Sequence, residues 1–216
     1  MITDQSAQFY AKSASNHDRV YDHPERQHDL ATMRARVADV LAGHTVLELA
    51  CGTGYWTRIL AQVAEHVVAT DINPEMIAMA ALRKLPADKV TLRVADANAL
   101  PADLGDFTAV FIGFWWSHIK REEQLKFLAR LKTQFGKDLL IVLLDETYVE
   151  GVSSTVARTD LEGNTFHIRV APDGQRYEIP TTYPSDSSLR KKLAPAAREI
   201  RLVRLEHYWL LSCRLK

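Results

Sequence analysis

From Leu30 the apolar positions fall at Met33, Val37, Val40 and Leu41, one face of a helix, with Pro24 suited to its first turn and Gly43 to its end. This spacing predicts a helix over about 25–42. The rhythm then changes to short, nearly continuous apolar runs, at 45–50, 66–71, 89–94, 107–113 and 138–144. Between them lie amphipathic stretches that predict helices near 55–65, 74–84 and 120–134, the second opened by Asn73-Pro74 and the third closed by Gly136. Strands that are apolar on both faces and alternate with helices predict a parallel sheet covered on both sides. After Asp145 the pattern changes again. Thr165–Val170 and Arg176–Pro180 read as strands around the tight turn Ala171-Pro-Asp-Gly174, an inserted β-hairpin. A short helix near 186–194 follows Ser185, and β-like runs near 199–205 and 207–215 end the chain as an antiparallel pair. Residues 1–23 are polar with scattered aromatics.

The expectation is an α/β fold with a seven-stranded, mostly parallel sheet, helices on both faces, the last strand antiparallel, an N-terminal helical cap and the inserted hairpin. The 216 residues suit one domain over 1–216: cap 1–44, core 45–145, hairpin 150–180, and C-terminal helix and edge strands 186–216. Apolar residues make up 47% of the chain, enough for a real core. With 27 basic and 27 acidic residues, there is no electrostatic case for a nucleic-acid partner. Cys51 and Cys213 make neither a disulfide framework nor a C-x-x-C zinc pair, and no metal spacing surrounds the histidines. No apolar run reaches the roughly 18–20 residues of a membrane span, and Met1 to Ser15 carries no apolar signal core. A cytoplasmic monomer or homodimer is the expectation.

Candidate chemistry concentrates at Val46-Leu-Glu-Leu-Ala-Cys-Gly-Thr-Gly-Tyr-Trp-Thr57. A strand runs into an acid, then Gly-x-Gly, then a helix. Gly52 and Gly54 let the backbone turn tightly and approach a ligand. Glu48 beside that turn would repel a pyrophosphate and welcome a cation. Asp71 at the end of the second strand is placed for both ribose hydroxyls of a nucleoside. Asp96 and the N–H of Ala97, after the third, are placed for an adenine edge, with Ile72 and Met76 as an apolar wall. A nucleoside bearing an ammonium and a sulfonium, S-adenosylmethionine (SAM), fits this set. Met76 also shares helical spacing with Met79, as a core residue would.

With these pieces, the chain resembles the class I SAM-dependent methyltransferases, in particular the small-molecule group of the ubiquinone and menaquinone type. The matching segments are Glu48-Leu-Ala-Cys-Gly-Thr-Gly54, Asp71-Ile-Asn-Pro-Glu-Met76, Val94-Ala-Asp-Ala97 and Phe111-Ile-Gly-Phe-Trp-Trp-Ser-His118, within about 37–145. The resemblance implies a Rossmann-like fold, SAM as cofactor with S-adenosylhomocysteine (SAH) as product, no metal, and Ala50 and Gly113 in the same cofactor cradle. It leaves the acceptor open. The fourth segment lacks the Asn/Asp-Pro-Pro-Tyr/Phe signature of base and glutamine methylation.

Methyl transfer depends mainly on alignment of the nucleophile, with a general base where a proton must leave. His118, after the fourth strand, is the candidate base; a helix-entry role explains it equally. Trp115 and Trp116 are candidates for an apolar or aromatic acceptor pocket, with one ring expected to be structural. Tyr10 and Tyr21 are candidates for its lid, against a plain packing role. The reaction expected is methyl transfer to O, N or C of a small apolar or aromatic molecule. Two rivals are an NAD(P)-dependent oxidoreductase, weakened by Glu48 and by Thr57 where a third glycine belongs, and a SAM-binding module without turnover.

Overall fold

The computed structural model describes residues 4–216. Residues 1–3 of the expected cap lie outside the described residues. The central sheet is built from β1 (Thr45–Leu49), β2 (His66–Asp71), β3 (Val90–Val94), β4 (Ala109–Gly113), β5 (Leu140–Glu146), and two C-terminal strands, β9 (Ala197–Arg204) and β10 (Tyr208–Leu215). Their order is β3-β2-β1-β4-β5-β10-β9, with β1 to β5 all paired in parallel. β10 pairs antiparallel with both β5 and β9, so the last strand is inserted one place in from the edge. Strand order reverses between β1 and β4, and ligands in such sheets bind where the strand ends diverge.

Helices α2 (Gln27–Leu41), α3 (Tyr55–Val63), α4 (Pro74–Ala81), α5 (Arg121–Phe135) and α6 (Asp186–Leu193) fall within three residues of the spacing-based expectation at each end. The alternating strand residues feed two cores. On one face Leu47, Val110, Ile112 and Ile141 pack with Phe127, Leu128 and Leu131 of α5. On the other, Val46, Val67, Phe111 and Val142 pack with Leu30, Met33 and Val37 of α2 and Trp56 and Leu60 of α3. Continuous apolar strands are thus explained by burial on both sides.

Two additions sit above the strand ends. The expected hairpin is present as β7 (Thr165–Val170) and β8 (Arg176–Pro180), and the short β6 (Arg158–Thr159) extends it to a three-stranded antiparallel sheet. The N-terminal segment is helical: α1 (Asp4–Ser13), then a 3₁₀ helix over Ala14–Tyr21. The polar pattern of these residues concealed that order. α1 gains its partners from the hairpin: the backbone N–H of Glu178 donates to the Gln5 side-chain Oε1 at 2.9 Å, Lys12 pairs with Asp173 at 2.6 Å, and the Phe9 and Tyr177 ring centres lie 6.0 Å apart.

Candidate active site

A cavity of about 360 Å³ opens at the carboxyl ends of β1, β2, β4 and β5, roofed by α1, the 3₁₀ helix and the hairpin. Its floor is the glycine turn. Gly52 and Gly54 have φ of 56° and 77°, in the left-handed region. A Cβ on Gly54 would stand 2.9 Å from the Ala80 Cβ, so glycine there also lets α4 pack on the turn. Ala50 and Phe114, both in the cavity wall, adopt φ of 55° and 58° without being glycine. Such strained backbone at the ends of β1 and β4 is typical of ligand sites.

Each carboxylate at the strand ends is held in place. Glu48, 2% exposed, accepts a 2.6 Å hydrogen bond from Thr57 Oγ1. Thr57 therefore orients the acid from the first turn of α3. Burial, with Asp71 nearby, pushes the Glu48 carboxyl up to about 8. Asp71 accepts from Gly52 N and Asn73 N, both at 2.9 Å, and burial raises its pKa. These bonds fix the carboxylate over the turn with lone pairs still available to a ligand. Ile72, Met76 and Gly113 line the same cavity, although Met76 is only 1% exposed.

Asp96 and Ala97 are not among the residues lining the cavity. Asp96 accepts from Asn98 N at 2.8 Å, and Ala97 is 9% exposed. They follow β3, whose end is tied to β2 by Ala95 N donating to Asp71 O at 2.9 Å.

The other end of the cavity holds an arrangement the sequence did not announce. His118 is buried, and its Nδ1 lies 2.7 Å from the Pro180 carbonyl at the end of β8. A carbonyl only accepts, so Nδ1 carries the proton and Nε2 presents its lone pair. The Tyr10 hydroxyl, 2.8 Å from Nε2, donates to it. Burial, first among the causes, lowers the His118 pKa to about 4 and raises that of the Tyr10 phenol. The imidazole is therefore neutral at pH 7, with a tautomer fixed by the hairpin. Below it, Asp145 accepts from Ser117 N at 2.8 Å and Ser117 Oγ at 3.1 Å, and burial brings its carboxyl up to about 7.

The two tryptophans separate. Trp115 lines the cavity, packing edge-on to Phe127 at 5.3 Å. Trp116, 1% exposed, is absent from the lining and belongs to the core, which corrects its assignment to the acceptor pocket. Ser117 and His118 of the same 3₁₀ turn line the cavity, while the Trp116 ring packs into the core with Trp115, Phe127 and Trp209. Tyr21 lines the cavity while stacking on Tyr55 at 3.7 Å between ring centres. The acceptor end, expected to be apolar or aromatic, is aromatic on one side and polar on another. Phe9, Phe114 and Trp115 make an aromatic wall, but Ser153, Ser154, Arg169 and Thr181 stand in the same lining.

Sequence reasoning missed a clamp over the glycine turn. Asp18 of the 3₁₀ helix accepts from Thr53 Oγ1 at 2.5 Å and pairs with Arg83, which also donates to the Thr53 carbonyl at 2.5 Å. His17 sits above Gly52, where an added Cβ would meet its Nε2 at 3.5 Å. No motif marks such residues, because their partners are 30 to 65 positions away. Among the described residues, no group of three or more His, Cys, Asp or Glu is placed to hold a metal, and no helix is long and apolar enough to cross a membrane.

Fold, glycine turn and strand-end carboxylates together resemble those of a class I SAM-dependent methyltransferase domain. Residues 46–135 match a family described as "Methyltransferase domain". Demethylmenaquinone methyltransferase of Clavibacter sepedonicus is 44% identical over 85 residues, 39% of this chain and 34% of that protein. Magnesium-protoporphyrin O-methyltransferase of Rhodobacter capsulatus is 43% identical over 82 residues, 37% and 36% of the two chains. The matched region thus spans about a third of the length of these curated relatives. A solved DhpI-SAM-HEP complex superposes with a TM-score of 0.80 at 25% identity, covering 99% of this chain and 97% of that one. The N-methyltransferase NodS of Bradyrhizobium japonicum, in complex with SAH, has a TM-score of 0.67 at 15% identity, covering 98% and 99%, and shows the shared fold.

Proposed function

We propose that the protein transfers a methyl group from SAM to O, N or C of a small molecule held beneath α1 and the hairpin. The carrying observation is the pairing of a nucleotide cradle lined by Glu48 and Asp71 with a second compartment ending at a neutral histidine. Glu48, Asp71 and the glycine turn are the groups to hold a cationic nucleoside: Asp71 for the ribose hydroxyls, Glu48 for the ammonium, Ala50 and Gly113 as close backbone walls, Ile72 and Met76 for the adenine face. Asp96 and Ala97, after the end of β3, would be the groups to meet an adenine edge. The solved complexes with SAM and SAH bound support the same cofactor here. A dinucleotide reading is disfavoured, since Thr57, bonded to Glu48, stands where the third glycine of a dinucleotide turn belongs.

When bound, SAM supplies an electrophilic methyl carbon on a sulfonium leaving group. The chain's own task is to orient the acceptor, exclude water and take a proton where one is released. Tyr10 and His118 are arranged for the last of these: the His118 Nε2 lone pair takes the Tyr10 phenolic proton as the phenol takes one from the acceptor. Pro180 keeps the imidazole in the tautomer this needs. His118→Ala and Tyr10→Phe should each lower kcat about 10²–10⁴-fold, with SAM affinity by calorimetry within a few-fold of wild type. Turnover by His118→Ala at the wild-type rate would overturn the base assignment and leave alignment alone. An acid limb near pH 4, with no inflection near 6.5, is the matching pH signature. With 27 basic and 27 acidic residues in balance, we read the protein as a soluble cytoplasmic enzyme.

A further inference from the structure

We propose that the acceptor carries an oxyanionic group, a carboxylate or a phosphonate, and that Arg169 binds it. This rests on the methyltransferase reading above and adds the acceptor class.

Arg169 lies on β7, two residues beyond His167, so strand alternation turns both toward the same side. Phe166, on the opposite side, is covered by the Arg158 guanidinium at 3.7 Å from its ring centre. Arg169 is half-buried and lines the cavity, yet its guanidinium makes no hydrogen bond or ion pair with any described residue. The other arginine in the wall, Arg26, is paired with Glu146 at 2.8 Å.

The cavity's carboxylates do not serve Arg169. Glu48 is taken by Thr57, Asp71 by two backbone N–H groups, Asp145 by Ser117 and Glu146 N, and Glu146 by Arg26. A guanidinium partly withdrawn from water with no counter-charge is unfavourable unless a ligand supplies one. Its planar fork suits a carboxylate or phosphonate.

Two further observations place this charge at the acceptor end. The field of Arg169 reaches both Tyr10 and His118, pulling down the proton affinity of each. Further along the same wall, the buried Thr181 hydroxyl has no hydrogen-bond partner, and Thr181 directly follows the Pro180 that holds His118. An anion anchored on Arg169 would therefore leave the rest of the molecule facing the Tyr10–His118 pair and the aromatic wall of Phe9, Phe114 and Trp115.

The test is calorimetric titration of the protein, with and without SAH, using benzoate, phenylphosphonate and the neutral benzamide. At least one anion should bind tenfold or more tightly than benzamide. The better of benzoate and phenylphosphonate then distinguishes the two sources of the charge. Arg169→Gln should lose that advantage, and Arg169→Lys should recover part of it, with SAH affinity equal in all three proteins. Anions binding no better than benzamide, or equally well to Arg169→Gln, would overturn the proposal. Failure of SAH to bind the wild-type chain would instead overturn the cofactor reading, an outcome read separately in the same experiment.

Discussion

The residues that define the nucleotide end are few and short-range. Asp71 is anchored by Gly52 N and Asn73 N, so its carboxylate is pre-aimed before any ligand arrives. Hydrogen bonds to a charged acceptor are worth about 1.5–3 kcal/mol each. Asp71→Ala should therefore weaken SAM binding at least tenfold by calorimetry, while the far-ultraviolet spectrum stays unchanged. Unaltered affinity would remove the ribose assignment. These residues were legible because each sits at the junction of an apolar run and a turn, where local pattern alone brings acid, glycine and helix start together. Tyr10 and His118 were legible only as separate candidates. Their 2.8 Å contact joins positions 108 apart, and the Pro180 carbonyl that fixes the imidazole is 62 positions further on. No local spacing encodes such a pair.

At the scale of elements, the strands and helices of the core follow from periodicity, since each must bury a face of fixed period. The N-terminal segment obeys a different rule. α1 and the 3₁₀ helix bury little of their own and are held by contacts with other elements. Asp18 is the main tie to the glycine turn, through Thr53 and Arg83. Releasing it removes a charge-assisted contact of about 1.5–3 kcal/mol at most. Asp18→Ala should then speed SAH dissociation roughly 5- to 50-fold in stopped-flow fluorescence, with Tm little changed, because the core is untouched. An unchanged off-rate would show that the roof does not govern ligand release. The hairpin has the same dependence: its two main strands and turn were readable, but β6, only two residues long, was not.

At the scale of the whole molecule, burying acids to build the site has a cost that varies with pH. Glu48 and Asp145 have pKa values raised by burial to about 8 and about 7. The folded chain therefore binds more protons than the unfolded chain above about pH 4, so stability from these groups is full at low pH and lost as pH rises through 7 and 8. His118, lowered to about 4, acts in the opposite sense between about 4 and 6.5, where stability rises with pH. Above pH 6.5 only the carboxylate effect remains. The unliganded protein should lose Tm between pH 6.5 and 8.5, and Glu48→Gln should flatten that decline in scanning calorimetry. A wild-type Tm constant over this range would argue that Glu48 ionises freely.

The amino-acid sequence by itself determined the layered α/β core, the glycine turn and the acids at the strand ends. Each arises from interactions within a few residues, or from a face whose period matches its element. Only the tertiary structure decided which of Trp115 and Trp116 faces the cavity, that Thr57 orients Glu48, that Tyr10 engages His118, and that Arg169 stands in the wall without a counter-ion among the described residues. Those outcomes depend on how the roof and hairpin dock over the sheet, a match of surfaces distant in the chain that no local period records.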